Sequence, residues 1–89
     1  MPDKSGGVEM KILRFYWSPD LQKMMNDQVL SVVRETKTQL IAIDRRNPRY
    51  EYRFRKPDKP QSGMHIYQVG KRERFSQYHY ELYLESGAI

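Results

Sequence analysis

The fold class of this 89-residue chain is decided by one stretch, residues 50–56, which reads YEYRFRK. Aromatic side chains fall at positions 50, 52 and 54, and charged side chains fall at positions 51, 53 and 55. A β-strand sends alternate side chains to opposite faces, so this spacing predicts a half-buried strand. The three rings are expected in the core, and Glu51, Arg53 and Arg55 are expected to face solvent or a partner.

A similar alternation precedes this strand over residues 11–17, which we predict to be the first strand of the domain. Leu13, Phe15 and Trp17 share one face of it. Apolar residues occur on both faces, which is typical of a central strand. We therefore expect Trp17 to lie in the core; the alternative is an exposed ring on which a partner stacks.

A short helix is predicted after the first strand, over residues 19–27. Ser18 is a favourable N-cap, and Pro19 suits the first helical turn. Leu21, Met24 and Met25 follow with the spacing of an apolar helical stripe.

Residues 29–34 and 38–43 are rich in β-branched side chains, which favours two strands joined by a tight turn at residues 35–37. A helical alternative remains for the first of these segments, because several apolar residues also lie on one helical face. These residues are Leu21, Met24, Met25, Val29, Val32 and Val33. Under either interpretation, residues 38–43 form a strand.

The remaining segments alternate between loops and strands. Residues 44–49 contain Asn-Pro and residues 57–63 contain two prolines, so both are predicted loops. Residues 64–69 and 75–85 are predicted strands. In the last strand, His79 and its alternate neighbours are expected to face outward, and the core-facing set is Tyr78, Tyr80, Leu82 and Leu84.

One strand, one short helix and four or five closely spaced strands predict a mainly β (α+β) fold. The expected architecture is a small antiparallel barrel or a strongly bent sheet with one short helix. Residues 10–85 form a single domain in this prediction. Residues 1–9 are expected to be a disordered tail, and residues 86–89 a C-terminal tail.

The chain is basic, with 16 Lys and Arg against 11 Asp and Glu, a net charge of +5. The excess is concentrated between Arg45 and Arg74, where ten basic residues accompany three acids. Such a field attracts polyanions; the plain alternative is a solvated surface that keeps a small protein soluble. The sequence has no cysteine and no apolar run long enough to span a membrane. We therefore expect a cytoplasmic protein without membrane contact.

Two segments resemble short open reading frames of bacteriophages. Residues 32–41 read VVRETKTQLI, and residues 52–55 read YRFR. The phage sequences similarly have a strand ending in Thr-Lys-Thr-Gln, another strand, and then an Arg-Phe-Arg strand. The resemblance implies an SH3-like barrel, a phage origin and a role against a host system, in the host cytoplasm. The resemblance does not identify any functional residues.

Catalytic motifs are scarce in the sequence. It has no Gly-rich phosphate loop, no Cys nucleophile and only two histidines, too few for a His-based metal site. We therefore expect a non-enzymatic protein with no cofactor and no metal. One enzymatic alternative is a metal-independent ribonuclease, in which His79 or Glu81 acts as base and Tyr83 as acid. Arg53 or Arg55 would stabilise the developing phosphorane charge.

Nucleic-acid binding agrees better with the charge distribution. Basic side chains would contact phosphates, and exposed rings, with Trp17 as a further candidate, would stack on unpaired bases. The predicted interface consists of Arg45, Arg46, Arg49, Arg53, Arg55, Lys56, Tyr67, Lys71, Arg72, Arg74 and Tyr83. The expected partner is RNA, DNA or a nucleoprotein.

A phage-encoded inhibitor is the alternative binding function. It would present the same arginines to an acidic or nucleic-acid-binding host protein of the defence or transcription machinery, because Arg and Tyr are also enriched at protein interfaces. In both cases the protein is expected to be a monomer or a small homo-oligomer.

Overall fold

A computed structural model describes residues 8–70 and 78–86, and this part of the chain is mainly β. Its strands are Val8–Ser18 (β1), Lys23–Glu35 (β2), Gln39–Asp44 (β3), Asn47–Arg55 (β4), Met64–Ile66 (β5) and Tyr78–Ser86 (β6). They form one antiparallel sheet in the order β4-β3-β2-β1-β6-β5. Strands β1 to β4 are neighbours in sequence order, whereas β6 returns to pair with β1.

The two ends of this sheet are linked by a single bridge rather than by a continuous ladder. Phe54 of β4 pairs with Gln68, which follows β5. The amide of Arg55 donates to the carbonyl of Tyr67 at 2.9 Å, and the amide of Val69 donates to the carbonyl of Arg53 at 2.8 Å. The sheet is therefore strongly bent, with one concave and one convex face.

The concave face of the sheet holds the hydrophobic core. Alternate residues of every strand contribute to it: Ile12, Leu30, Leu40, Ala42, Phe54, Ile66, Tyr80 and Leu82. The rings of Phe54 and Tyr80 meet edge to face at 4.9 Å between centroids. The convex face, or outer face, carries the side chains that alternate with these core residues along each strand.

The predicted helix over residues 19–27 is wrong, because residues 19–22 form a turn and β2 begins at Lys23. Ser18 does cap this turn: its Oγ accepts from the amide of Leu21 at 3.3 Å, and its carbonyl accepts from the amide of Gln22 at 2.7 Å. Gln22 then adopts a left-handed φ of 52°, which ends the turn. Leu21 and Met24 are 58% and 45% exposed, so the supposed stripe is not buried as one face.

Three aromatic residues expected to face the core lie at the surface: Trp17, Tyr50 and Tyr78, the last of which is 38% exposed. Trp17 is 54% exposed, on the outer face near the tip of the β1–β2 hairpin. Tyr50 is also 54% exposed, whereas Tyr52 is half-buried and Phe54 is fully buried. Trp17 lies on the face of β1 opposite the core, so its expected facing is wrong, whereas Tyr50 has the expected facing but lies beyond the end of the core.

The predicted strands agree with the structure, although several boundaries move. Residues 29–34 belong to β2, so the helical alternative is wrong there too. The expected loop at residues 44–49 is only a two-residue turn, because Asp44 pairs with Asn47 and β4 includes Pro48. Proline fits there because β4 is an end strand of the sheet, where a missing amide donor is tolerated.

The termini of the described part also extend beyond the expected domain limits. β1 starts at Val8, which pairs with Ser86. Residues 75–77 of the predicted last strand, with residues 1–7 and 87–89 of the two expected tails, lie outside the described residues. Within residues 8–70 and 78–86, no helix is long and apolar enough to cross a membrane.

Candidate functional site

The predicted basic interface divides into two groups at opposite ends of β4. Arg45, Arg46 and Arg49 lie at or near the β3–β4 turn, and Arg53, Arg55 and Lys56 lie at the far end of the strand. At about 3.3 Å per residue, the centres of the two groups are about 25 Å apart along the strand, although their nearest members, Arg49 and Arg53, are about 13 Å apart. The three remaining basic residues of the prediction, Lys71, Arg72 and Arg74, lie outside the described residues.

The turn group is organised by a buried carboxylate, Asp44, which is 7% exposed. The guanidinium of Arg46 donates to both carboxylate oxygens, at 3.1 and 2.9 Å, and the amide of Gln28 donates at 2.9 Å. These hydrogen bonds, with that of Arg46 foremost, hold the pKa of Asp44 far below its usual value. The charge of Arg46 is therefore compensated internally, whereas Arg45 donates to the hydroxyl of Ser31, at 3.1 Å.

The charges at the far end of β4 are also partly compensated. Glu51 accepts ion pairs from Arg34 at 3.3 Å and from Arg53 at 3.6 Å. The ammonium of Lys56 lies 2.9 Å from the carboxylate of Glu35. Arg55 differs from these residues: among the described residues it has no carboxylate within 4.0 Å, a property it shares with Arg45 and Arg49.

Arg55 lies next to Tyr67 on the outer face, although β4 and β5 are not neighbours in the sheet. The Phe54–Gln68 bridge places Arg55 opposite Tyr67, and the amide-to-carbonyl bond between these two residues fixes the register. Phe54 points into the core, so its neighbour Arg55 points outward, and Tyr67 does so by the same alternation. Residues 50–56 and 64–69 are thus adjacent only through residues 67–69.

Four rings, of which Tyr67 is the first, lie side by side across the outer face. We call them the aromatic row. Tyr67 lies 4.4 Å from His65, His65 lies 4.2 Å from His79, and His79 lies 6.1 Å from Phe15, between ring centroids. Tyr67 is 43% exposed and His65 is exposed, whereas Phe15 and His79 are half-buried. The row crosses β5, β6 and β1, and Arg55 lies beside Tyr67 at one end of it.

A carboxylate beside the row joins the remaining predicted ring to one of the histidines. Glu81 accepts a 2.5 Å hydrogen bond from the hydroxyl of Tyr83 and lies 2.8 Å from Nε2 of His79. The Tyr83 hydrogen bond lowers the pKa of Glu81 and raises the pKa of Tyr83. The hydroxyl of Tyr83 is thus committed to Glu81.

Three members of the aromatic row, Phe15, His65 and His79, were absent from the predicted interface. Alternation gave the right facing for His65 and His79, because His65 precedes the core residue Ile66 and His79 precedes the core residue Tyr80. It did not do so for Phe15, which shares a face with Trp17 and was grouped with that expected core residue. What alternation does not give is the strand order β1-β6-β5, which makes the three rings neighbours.

No group of three His, Cys, Asp or Glu residues in the described ranges is arranged to hold a metal ion. Comparison of the chain with protein-family models, with curated proteins and with solved structures gives no match.

Proposed function

We propose that this protein binds single-stranded nucleic acid on the outer face of its sheet. The observation that carries the proposal is the aromatic row ending at Arg55. Successive bases stack on aromatic side chains, a contact worth about 1–3 kcal/mol per base, while guanidinium groups neutralise the phosphates between them. Rings separated by 4.2–6.1 Å across three strands offer such a platform, and it favours unpaired bases over a duplex.

The charge distribution supports Arg55 as the phosphate contact at the end of the row. Arg55 has no carboxylate partner among the described residues, so its charge remains available to phosphates. Arg46 and Lys56 contribute less, because Asp44 and Glu35 compensate their charges. The proposal therefore assigns Arg55 the leading role within the predicted basic set.

We also interpret the bent sheet as an SH3-like barrel. The Phe54–Gln68 bridge links its two ends, and a short, tightly turned antiparallel path connects β1 to β4. Small barrels of this general kind present one sheet surface and its loops to single strands. On this interpretation, the aromatic row lies across the outside of the barrel wall.

Fluorescence anisotropy with labelled single-stranded RNA, single-stranded DNA and duplex DNA, each about 12 nucleotides long, tests the proposal. Single strands are expected to bind more tightly than duplex, and their affinity is expected to fall steeply between about 50 and 200 mM salt. Tyr67→Ala should weaken binding by about 1–3 kcal/mol. Arg55→Ala should reduce the salt slope by about 0.7, the value for one phosphate on a single strand.

Two control variants remove the same kinds of side chain, a positive charge and an aromatic ring, from positions outside the aromatic row. Lys59→Ala removes an exposed charge from the loop after β4, and Tyr50→Ala removes an exposed ring at the other end of β4. Both should bind like the wild type. Equal losses in the controls, or equal affinity for duplex and single strands, would contradict the proposal. In that case the alternative inhibitor function becomes the one to test, with acidic host proteins as ligands.

A further inference from the structure

The outer face carries a compact group of titratable side chains that nucleic-acid binding does not require. It consists of His65 on β5 and of His79, Glu81 and Tyr83 on β6. The strand register places His65 directly opposite Glu81, and His79 lies one step along the same face. The two imidazole rings are 4.2 Å apart between centroids, with an interplanar angle of 42°. We call His65 and His79 the histidine pair, and Glu81 is its carboxylate.

The carboxylate orients one of the two imidazoles. Glu81 is ionised at neutral pH, because the hydrogen bond from Tyr83 lowers its pKa. An ionised carboxylate only accepts hydrogen bonds, so its 2.8 Å contact with Nε2 of His79 places the ring proton on that nitrogen. The other nitrogen, Nδ1, then carries a lone pair, which gives a neutral His79 the form of a general base.

The second imidazole provides the complementary acid. Imidazole is the side chain that can both accept and donate a proton in catalysis near neutral pH. Two stacked imidazolium ions repel each other, which favours the state in which only one ring carries the extra proton. With His79 oriented as a base, His65 is the ring left to hold the proton.

We propose that the histidine pair cleaves RNA, an inference that rests on the proposed single-strand binding. Nδ1 of His79 takes the proton of a ribose 2′-hydroxyl, and the 2′-oxygen forms a bond to the adjacent phosphorus. The bond from phosphorus to the 5′-oxygen breaks, and the His65 imidazolium donates its proton to that oxygen. The products are a 2′,3′-cyclic phosphate and a 5′-hydroxyl, and the two histidines recover their starting states by exchanging one proton with water.

The remaining residues have supporting roles in this step. Arg55, beside Tyr67 and without a carboxylate partner among the described residues, stabilises the charge that develops on the phosphorane oxygens. Glu81 is a positioning residue, since it acts on the substrate only through His79. Tyr83 donates to Glu81, and this hydrogen bond raises its own pKa, so it is not the acid of the reaction.

The substrate class follows from the chemistry. DNA lacks the 2′-hydroxyl nucleophile, so it is expected to bind to the row without being cut. The proposed reaction also needs one neutral and one protonated histidine, which predicts a bell-shaped dependence of rate on pH. The charged and titratable groups facing the pair are Glu81 and Tyr83 from β6, Tyr67 after β5 and Arg55 from β4. On β1, Phe15 and Leu13 lie opposite His79 and Glu81, and Lys11, which is paired with Glu85, lies opposite Tyr83.

The test uses the full chain and two labelled oligonucleotides of identical sequence, one RNA and one all-deoxy, in the presence of excess EDTA. Wild-type protein should convert the RNA to fragments ending in a 2′,3′-cyclic phosphate, identified by mass spectrometry, and leave the deoxy strand intact. His79→Gln and His65→Gln should each lower the cleavage rate by about 10²–10⁴-fold. Their affinity for the deoxy strand should change only a few-fold.

The pH profile separates the assigned roles. His79→Gln should remove the acidic limb of the profile and His65→Gln the alkaline limb. Glu81→Gln should lower the cleavage rate while changing the affinity for the deoxy strand only a few-fold. The control variant Lys59→Ala should cut RNA as the wild type does.

Three results would overturn the inference: intact RNA with wild-type protein from pH 5 to 8, a product without a cyclic phosphate, or undiminished cleavage by both histidine variants. Intact RNA together with tight binding of the deoxy strand would reject cleavage and leave single-strand binding standing. Loss of binding to both strands would reject both proposals. The wild-type profile remains decisive if a variant does not fold.

Discussion

Phe54 and Tyr50 are aromatic residues of the same strand and the same predicted face, yet their surroundings differ. Phe54 is fully buried, and its ring packs edge to face against Tyr80. Tyr50 is 54% exposed, and its ring contact is with Tyr52, at 4.6 Å between centroids. Burial therefore depends on what lies across the concave face and not on residue type, and the core ends between these two positions.

The difference predicts unequal costs for the same truncation. Phe54→Ala should lower the free energy of unfolding by about 3–5 kcal/mol, because it removes a buried ring and leaves a cavity. Tyr50→Ala should cost less than about 1.5 kcal/mol, the upper range for an edge-to-face ring pair. Urea denaturation measures both values, and Phe54→Leu provides a milder substitution if the alanine variant does not fold. Equal costs for the two alanine variants would mean that the core extends to the β3–β4 turn.

In the hairpin of β1 and β2, the capping signal of Ser18 is real, but a turn and a strand follow it instead of the predicted helix. Ser18 makes the capping contacts that its position predicts. A helix must then bury its apolar stripe, but Leu21 and Met24 are 58% and 45% exposed. Because β2 pairs with β1 up to Lys23, the ladder supplies hydrogen bonds that a short isolated helix would lack.

Gln22 has a φ of 52°, so the turn and the helix predict opposite changes in stability when it is replaced by glycine. Gln22→Gly should stabilise the protein by up to about 1 kcal/mol, because glycine adopts left-handed backbone without the Cβ penalty. In a helix interior the same change would destabilise by about 1 kcal/mol. Thermal melting of both this variant and Gln22→Val gives the answer. The β-branched side chain of Val is poorly tolerated at positive φ, so this variant should melt lower. A destabilised glycine variant would contradict the turn.

At the scale of elements, alternation located the strands and the outward facing of most site residues, but not their neighbours. His79 was expected to lie on the face opposite Tyr78 and Tyr80, and it does. The contact between His79 and His65 depends instead on β6 lying between β1 and β5, a long-range pairing that no local pattern encodes. The candidate site was therefore recognised in part, through Arg55, Tyr67 and Tyr83.

The whole molecule depends on how the two ends of the sheet are held together. β4 is at one end of the strand order and β5 is at the other, yet Phe54 and Gln68 pair. The same link brings Arg55 beside Tyr67, so the proposed interface and the bending of the sheet rely on the same backbone hydrogen bonds. Loosening the link should affect global stability and the outer-face site together.

Val69 allows this link to be tested without disturbing the core, because it is 41% exposed. Its amide donates to the carbonyl of Arg53, and Val69→Pro removes that donor. The variant should lose about 1–3 kcal/mol of unfolding free energy. The amide of Arg55, which bonds to Tyr67 across the same bridge, should exchange its hydrogen faster. Val69→Ala keeps the donor and controls for the side chain, so it should change neither quantity appreciably. If the proline variant matches the alanine variant in both, the Phe54–Gln68 bridge does not hold the ends of the sheet together in solution, and Arg55 and Tyr67 belong to separate surfaces.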